Sequence, residues 1–172
     1  MTEAAAADTT GLELQDILFR AGRSRQALLQ ALSRLPDDAL GREPPGEWGA
    51  ARILRHLVWV EHYWTLMLRE LRHSPESHAE LAGPVHLRAV QEASRLAGTP
   101  PDPQPYPTKR EALRGLDASR REFTAAVRAL RPADFLRRLS HPSRGVMPLR
   151  FAIEHVIEHD WDHAVQIAAL RP

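Results

Sequence analysis

His155, His159 and His163 follow one another at four-residue intervals in the last apolar stretch of the chain, PLRFAIEHVIEHDWDHAVQIAAL, residues 148–170. In a helix, side chains four apart stack on one face. That face also carries Ala152, Val156, Ile167 and Leu170, so the histidines occupy a stripe that should point into a core. A buried imidazole is a poor core filler unless both ring nitrogens find partners. A histidine pair at i and i+4 is also how a helix presents two ligands to one metal ion. Two pairs have that spacing, His155 with His159 and His159 with His163. One ion does not easily take all three, because the outer two lie two turns apart, about 11 Å along the axis.

A further histidine, His56, falls on the apolar stripe of Ile53, Leu57, Val60, Trp64, Met67, Leu68 and Leu71. It is off the charged face formed by Arg55, Glu61 and Glu70. Taken alone, it reads as a core histidine with satisfied nitrogens. Trp59 and Tyr63 lie three and seven residues after it. They are placed to line a pocket or to serve as ordinary core. Gln166 shares the face of His163 and suits either a residue that orients a ligand or a buried, hydrogen-bonded amide. Asp160 and Asp162 fall off the histidine face and are expected to be solvated, and Glu158 points aside. No carboxylate is therefore offered as a general base. His62, His73, His78, His86 and His141 form no convergent pattern in the sequence.

Composition limits the chemistry. The chain has 172 residues, 43% of them apolar, and a net charge of +1. That is one domain's length, with enough apolar content to bury roughly two-thirds of the unfolded surface. The interspersed charges give no electrostatic footprint for nucleic acid or for an anionic membrane. Without cysteine, disulfides and thiolate zinc sites are excluded, so any metal must rest on histidine and carboxylate. The opening MTEAAAADTT is too short and too acidic for a signal peptide, and no apolar run approaches the roughly 20 residues of a membrane span. A cytoplasmic protein is the expectation.

Four amphipathic helices should position these residues, with no credible strand. Residues 1–9 read as a frayed tail, and Thr10 with Glu13 as the capping box that starts the first helix. Its stripe runs through Leu14, Ile17, Leu18, Ala21, Leu28, Leu32 and Leu35 to Pro36. After a Pro/Gly loop, the second helix covers about residues 49–72. The next connection, 73–108, holds a short helix near 84–96 and then GTPPDPQPYPT, with five prolines in eight positions. That reads as an extended tether able to travel back along the bundle. The third helix covers about 108–130, with Leu113, Leu116, Phe123, Val127 and Leu130 as its stripe. The fourth begins with Pro148 at its first position.

The pattern predicts an all-α four-helix bundle, up-down-down-up, with the long connection between helices two and three. Helices two and four are then antiparallel. His56, early in one, comes level with His159 and His163, late in the other. The topology follows from the helices and their connections alone, so the histidines' common level is independent of it and points to a metal site.

EWGAARILRHLVWVEHYWTLML, with Trp48 and His56, resembles the second helix of the DinB/YfiT-like four-helix bundle proteins. HPSRGVMPLRFAIEHVIEHDWDHAVQI resembles their last helix, where a His-x-x-x-His pair is followed by Gln and an aliphatic residue. Here these are His159, His163, Gln166 and Ile167. The resemblance covers nearly the whole chain. It implies a divalent metal held by His56, His159 and His163, with open positions for water and substrate. It makes His155 a pocket-wall or supporting residue. It also implies one of several reactions, since characterised branches include thiol S-transferases using bacillithiol or mycothiol and a mycothiol-dependent isomerase. A homodimer is common in similar proteins.

Three functional classes follow. The first is a metal-dependent enzyme acting on a small-molecule substrate in detoxification or stress, as a thiol S-transferase or a hydrolase. The second is a metal-binding stress-response protein without turnover. The third is a structural or partner-binding bundle whose histidines are satisfied core groups. Zinc suits three imidazoles best, with nickel, iron and manganese compatible. A low-molecular-weight thiol is a candidate second cofactor, because a divalent ion with three neutral ligands keeps the charge to turn a thiol into a thiolate.

Overall fold

The computed structural model describes residues 3–73, 78–80, 84–98, 104–142 and 144–170. Five helices are present among them: α1 (Glu3–Ser33), α2 (Ala50–His73), α3 (Pro84–Ala97), α4 (Lys109–Arg128) and α5 (Leu149–Ala169). Four long helices make the bundle, and α3 is the short helix of the long connection.

Contacts fix the directions. Arg20 pairs with Glu154 at 3.0 Å and Glu158 at 3.1 Å, and Arg25 with Asp160 at 2.9 Å, so α1 and α5 run parallel. Arg55 donates to the Gln104 carbonyl at 3.0 Å, and Arg69 meets Glu122 at 3.4 Å, so α2 and α4 run parallel. The start of α5 lies by the end of α2. Leu149 N–H donates to the Arg137 carbonyl at 2.9 Å, and Arg137 donates to the Leu71 carbonyl at 2.7 Å. The result is up, down, down, up for the four long helices, as the connection lengths predict.

The boundaries differ in instructive ways. The first helix does not wait for Thr10 but is already formed at Glu3, because the run Ala4–Ala7 is a strong helix former that needs no cap at residue 10. Thr108 is a true N-cap, accepting from the Glu111 N–H at 3.2 Å. Pro148 is the residue before α5 rather than its first residue. Leu113 is 42% exposed and lies off the buried stripe of α4. Much of the return along the bundle is made by α3. α3 runs antiparallel to α2, with Trp59 against Ser94 and Glu70 against Arg88. Its 14 residues cover about 21 Å at 1.5 Å each. Most of the proline run, 99–103, lies outside the described residues. Tyr106 donates from its backbone to the Ala51 carbonyl at 3.3 Å, beside the start of α2.

The sequence reading also missed a small sheet. β1 (His78–Glu80) pairs parallel to β2 (Arg138–His141), which pairs antiparallel to β3 (Gly145–Pro148). Strands of three and four residues are too short to show the alternation by which a strand is recognised. Gly145, at φ +71°, allows the tight turn between β2 and β3. Leu139 and Met147 face the core.

Two apolar clusters fill the interior. One is built on Met67, Leu71, Phe123, Val127, Ile153 and Ile157, the other on Leu28, Leu32, Leu54, Leu57, Leu116 and Ile167. Between them lies a polar layer. Arg25 of α1, Glu61 of α2, Ser119 and Arg120 of α4, and Asp160 of α5 are all buried there. Arg25 reaches Glu61 at 2.7 Å and Asp160 at 2.9 Å, and Arg120 reaches Asp160 at 2.7 Å and also bonds Glu61. Glu61 and Asp160 are thus buried and paired, contrary to the solvated positions expected from their offset from the apolar stripes. α5 packs against both α1 and α2, so a residue off its histidine face is still inside. No described helix is long and apolar enough to cross a membrane.

Candidate metal centre

His56, His159 and His163 come together in the same layer, on the α2–α5 side. Their rings are neighbours, with centroids 5.1 Å apart for His56–His159, 5.5 Å for His56–His163 and 4.7 Å for His159–His163. One nitrogen from each lies within 4.8 Å of the others, and no other such group of histidines and carboxylates occurs among the described residues. Antiparallel α2 and α5 create this level. The i, i+4 spacing turns both α5 imidazoles toward His56.

The hydrogen bonds show where each ring has spare capacity. His163 Nδ1 meets Gln166 Oε1 at 2.8 Å, an i, i+3 contact across one turn. An amide oxygen only accepts, so Nδ1 carries the proton and Nε2 keeps its lone pair. That Nε2 is buried without a hydrogen-bond partner, as are Nδ1 of His56 and Nδ1 of His159. A buried polar atom left unpaired costs about 1–3 kcal/mol. Three such atoms on neighbouring rings are what a bound ion would satisfy. Trp48 packs edge-on against His56 at 5.2 Å and limits how its ring can turn.

Burial holds the rings neutral. It pushes His56 down to about 4, with His163 adding to the effect. It pushes His159 down to about 3, helped by the neighbouring histidines and by Arg144. It lowers His163 too, against an upward pull from the Gln166 hydrogen bond. Neutral imidazole is the form that binds metal.

Beside the cluster opens a cleft of about 380 Å³. His56 and His159 line it. His155 stacks on His159 at 5.3 Å and lines the wall, outside the group of three. Trp59 and Tyr63 stack on each other at 5.4 Å and 6° and also line it. Gln166 is not a lining residue of this cleft and touches the site through His163.

His86 and His141, which showed no convergence in the sequence, reach this cleft from α3 and β2. Tyr63 Oη and His86 Nδ1 are 2.8 Å apart, and the His86 and His141 rings 5.6 Å apart. Burial lowers His141, with His86 and Arg144 adding to it, and burial pushes the Tyr63 phenol up. The convergence is tertiary: it needs α3 folded back and the hairpin turned inward, and neither leaves a spacing in the sequence. His62 and His73 do not line the cleft, and the side chain of His78 lies outside the described residues.

The sequence profile of the DinB superfamily matches residues 20–167, a span holding all three clustered histidines. An uncharacterized protein of Bacillus subtilis (strain 168), YuaE, is 27% identical over 143 residues, covering 81% of this chain and 88% of that protein. Among solved structures, TT2238, described as a four-helix bundle protein, superposes with a TM-score of 0.63 at 22% identity, over 91% of this chain and 98% of that one. A mutant of mycothiol-dependent maleylpyruvate isomerase superposes with a TM-score of 0.65 at 14% identity, over 90% of this chain and 60% of its own length. Both likenesses are of fold. The profile match spans most of the chain, and this protein is a member of the DinB superfamily.

Proposed function

We propose that this chain is a metal-dependent enzyme in which His56, His159 and His163 hold one divalent ion and the adjoining cleft seats a small-molecule substrate. The observation that carries it is the convergence of three histidines, each with a buried, unpartnered ring nitrogen, beside a cleft that His56 and His159 line. Zinc suits an all-imidazole set, with nickel, iron and manganese compatible. When bound, the ion supplies a positive charge that favours the anionic form of a water or thiol beside it.

The chain's own residues do the rest. Gln166 fixes the tautomer of His163 and aims its free nitrogen at the cluster. Trp48 braces His56. His155 walls the cleft next to His159. Tyr63 and His86, hydrogen-bonded to each other, can hold or pass a proton at the far end.

Among the described residues no carboxylate lines the cleft to serve as a base for water. That favours thiol S-transfer to an electrophile over hydrolysis. The structural likeness to a protein named for its mycothiol dependence supports a low-molecular-weight thiol as co-substrate. The test is metal analysis of protein purified without added metal, followed by a screen of such thiols against small electrophiles. One equivalent of divalent ion and a rate abolished by chelation are expected. Metal without any rate would favour a binding role without turnover, and no metal would sink the proposal.

A further inference from the structure

The cleft has two ends. One is the imidazole cluster. The other lies about two turns further along α2, since Tyr63 is seven residues after His56, roughly 10 Å at 1.5 Å per residue. There Tyr63, His86 and His141 meet, and Arg144 lines the same cleft. Arg144 stands in the turn between β2 and β3 and is exposed. It is the one lining residue with a permanent charge. Among the described residues its guanidinium has no carboxylate partner, and none lines the cleft. The walls between the two ends are flat rings: Trp59 stacked on Tyr63, and Trp64 stacked on His141 at 5.7 Å.

A guanidinium forms paired, charged hydrogen bonds to a carboxylate, and aromatic walls favour an apolar body. A neutral substrate would leave this cation to water alone. A cationic one would be repelled by it.

We propose that the cleft takes a small anionic substrate, a carboxylate on an aromatic or apolar body, with the carboxylate on Arg144 and the other end toward His56, His159 and His163. The orientation rests on the metal-centre proposal above; the carboxylate preference does not.

The test uses 3-phenylpropionate and its neutral amide, 3-phenylpropanamide, as probes. Their affinities are measured by calorimetry on zinc-loaded and metal-stripped protein, wild type and Arg144→Gln. Arg144 is exposed in a turn, so the variant should fold, and circular dichroism checks this. Wild type should bind the acid at least about 10-fold more tightly than the amide in both metal states, the range of a charged hydrogen bond. Arg144→Gln should bring that ratio close to one while zinc still binds. Equal binding of acid and amide by wild type, or binding of neither, overturns the proposal. So does a ratio that persists in Arg144→Gln. If that persistent ratio needs zinc, the acid is binding the ion itself. Failure of zinc to bind, with the preference for acid intact and lost in Arg144→Gln, sinks the metal centre and leaves the anion site standing.

Discussion

His163 and His155 flank His159 at equal distances along α5, yet they are not equivalent. His163 lies in the cluster with His56 and has its second nitrogen held by Gln166, whereas His155 stacks on the outer side of His159. His163→Ala should therefore cost orders of magnitude in zinc affinity. His155→Ala and Gln166→Leu should each cost at most the ~10–100-fold typical of groups that support a ligand. Competition titration with a chelator reads this, and equal losses for His155→Ala and His163→Ala would remove His163 from the ligand set. The pH response of the metal-free protein follows from the same burial. Histidine in the unfolded chain titrates near 6.5, while His56 and His159 are pushed down to about 4 and about 3. Below pH 6.5 the unfolded chain takes up protons that the folded rings refuse. The stability they contribute is thus intact above about 6.5 and is lost as pH falls through the folded values. The melting temperature should drop between pH 6.5 and 4, and the drop should shrink in His56→Gln, which separates the imidazole from the carboxylates. An identical pH profile in that variant would contradict this. The clustered histidines were legible in the sequence because i, i+4 spacing and a shared bundle level are both matters of periodicity. Glu61 and Asp160 were not, because a charge one step off an apolar stripe looks the same in sequence whether it meets water or a buried arginine.

At the level of elements, the long connection is what the sequence disclosed least. Its prolines predicted an extended run, and its short amphipathic stretch predicted α3, but not that α3 would carry His86 to Tyr63. The connection is pinned where it rejoins the bundle. Tyr106 is buried, takes the Arg55 guanidinium on its ring at 3.9 Å, and rests its hydroxyl on Gly115 of α4. A Cβ at Gly115 would stand 2.9 Å from the Tyr106 Cζ and closer still to its hydroxyl. Glycine inside a helix normally costs about 1 kcal/mol relative to alanine. Gly115→Ala should nonetheless destabilise, because it expels that ring. Gly22→Ala, inside α1 with nothing near its Cβ, should stabilise by about 0.5–1 kcal/mol. Urea unfolding of the two variants decides it. Stabilisation by both would mean that Tyr106 does not seat on α4.

For the molecule as a whole, the polar layer sets how the four long helices align. Two guanidiniums and two carboxylates, one from each helix, meet between two apolar clusters, and the histidine cluster occupies the other side of the same layer. Burial pushes the Asp160 carboxyl up against the pull of Arg25 and Arg120. A sliding of α5 by one turn would separate these charges inside the core, so the network opposes the slippage that would also take His159 and His163 away from His56. Removing one member leaves others buried without a counter-ion, at a cost of about 3–5 kcal/mol. Asp160→Ala should lose stability of that order by urea unfolding at pH 7.5, and the remaining folded protein should bind zinc more weakly although no ligand has changed. Replacing all four together, Arg25→Met, Glu61→Leu, Arg120→Met and Asp160→Leu, should restore stability, since a well-packed apolar substitute often equals or exceeds a buried ion network. Zinc affinity in that quadruple variant then isolates alignment from stability. If the network sets the level of α5, affinity stays low in a protein that is stable again. If affinity returns with stability, apolar packing alone aligns the helices, and the network's part in placing the histidines is refuted.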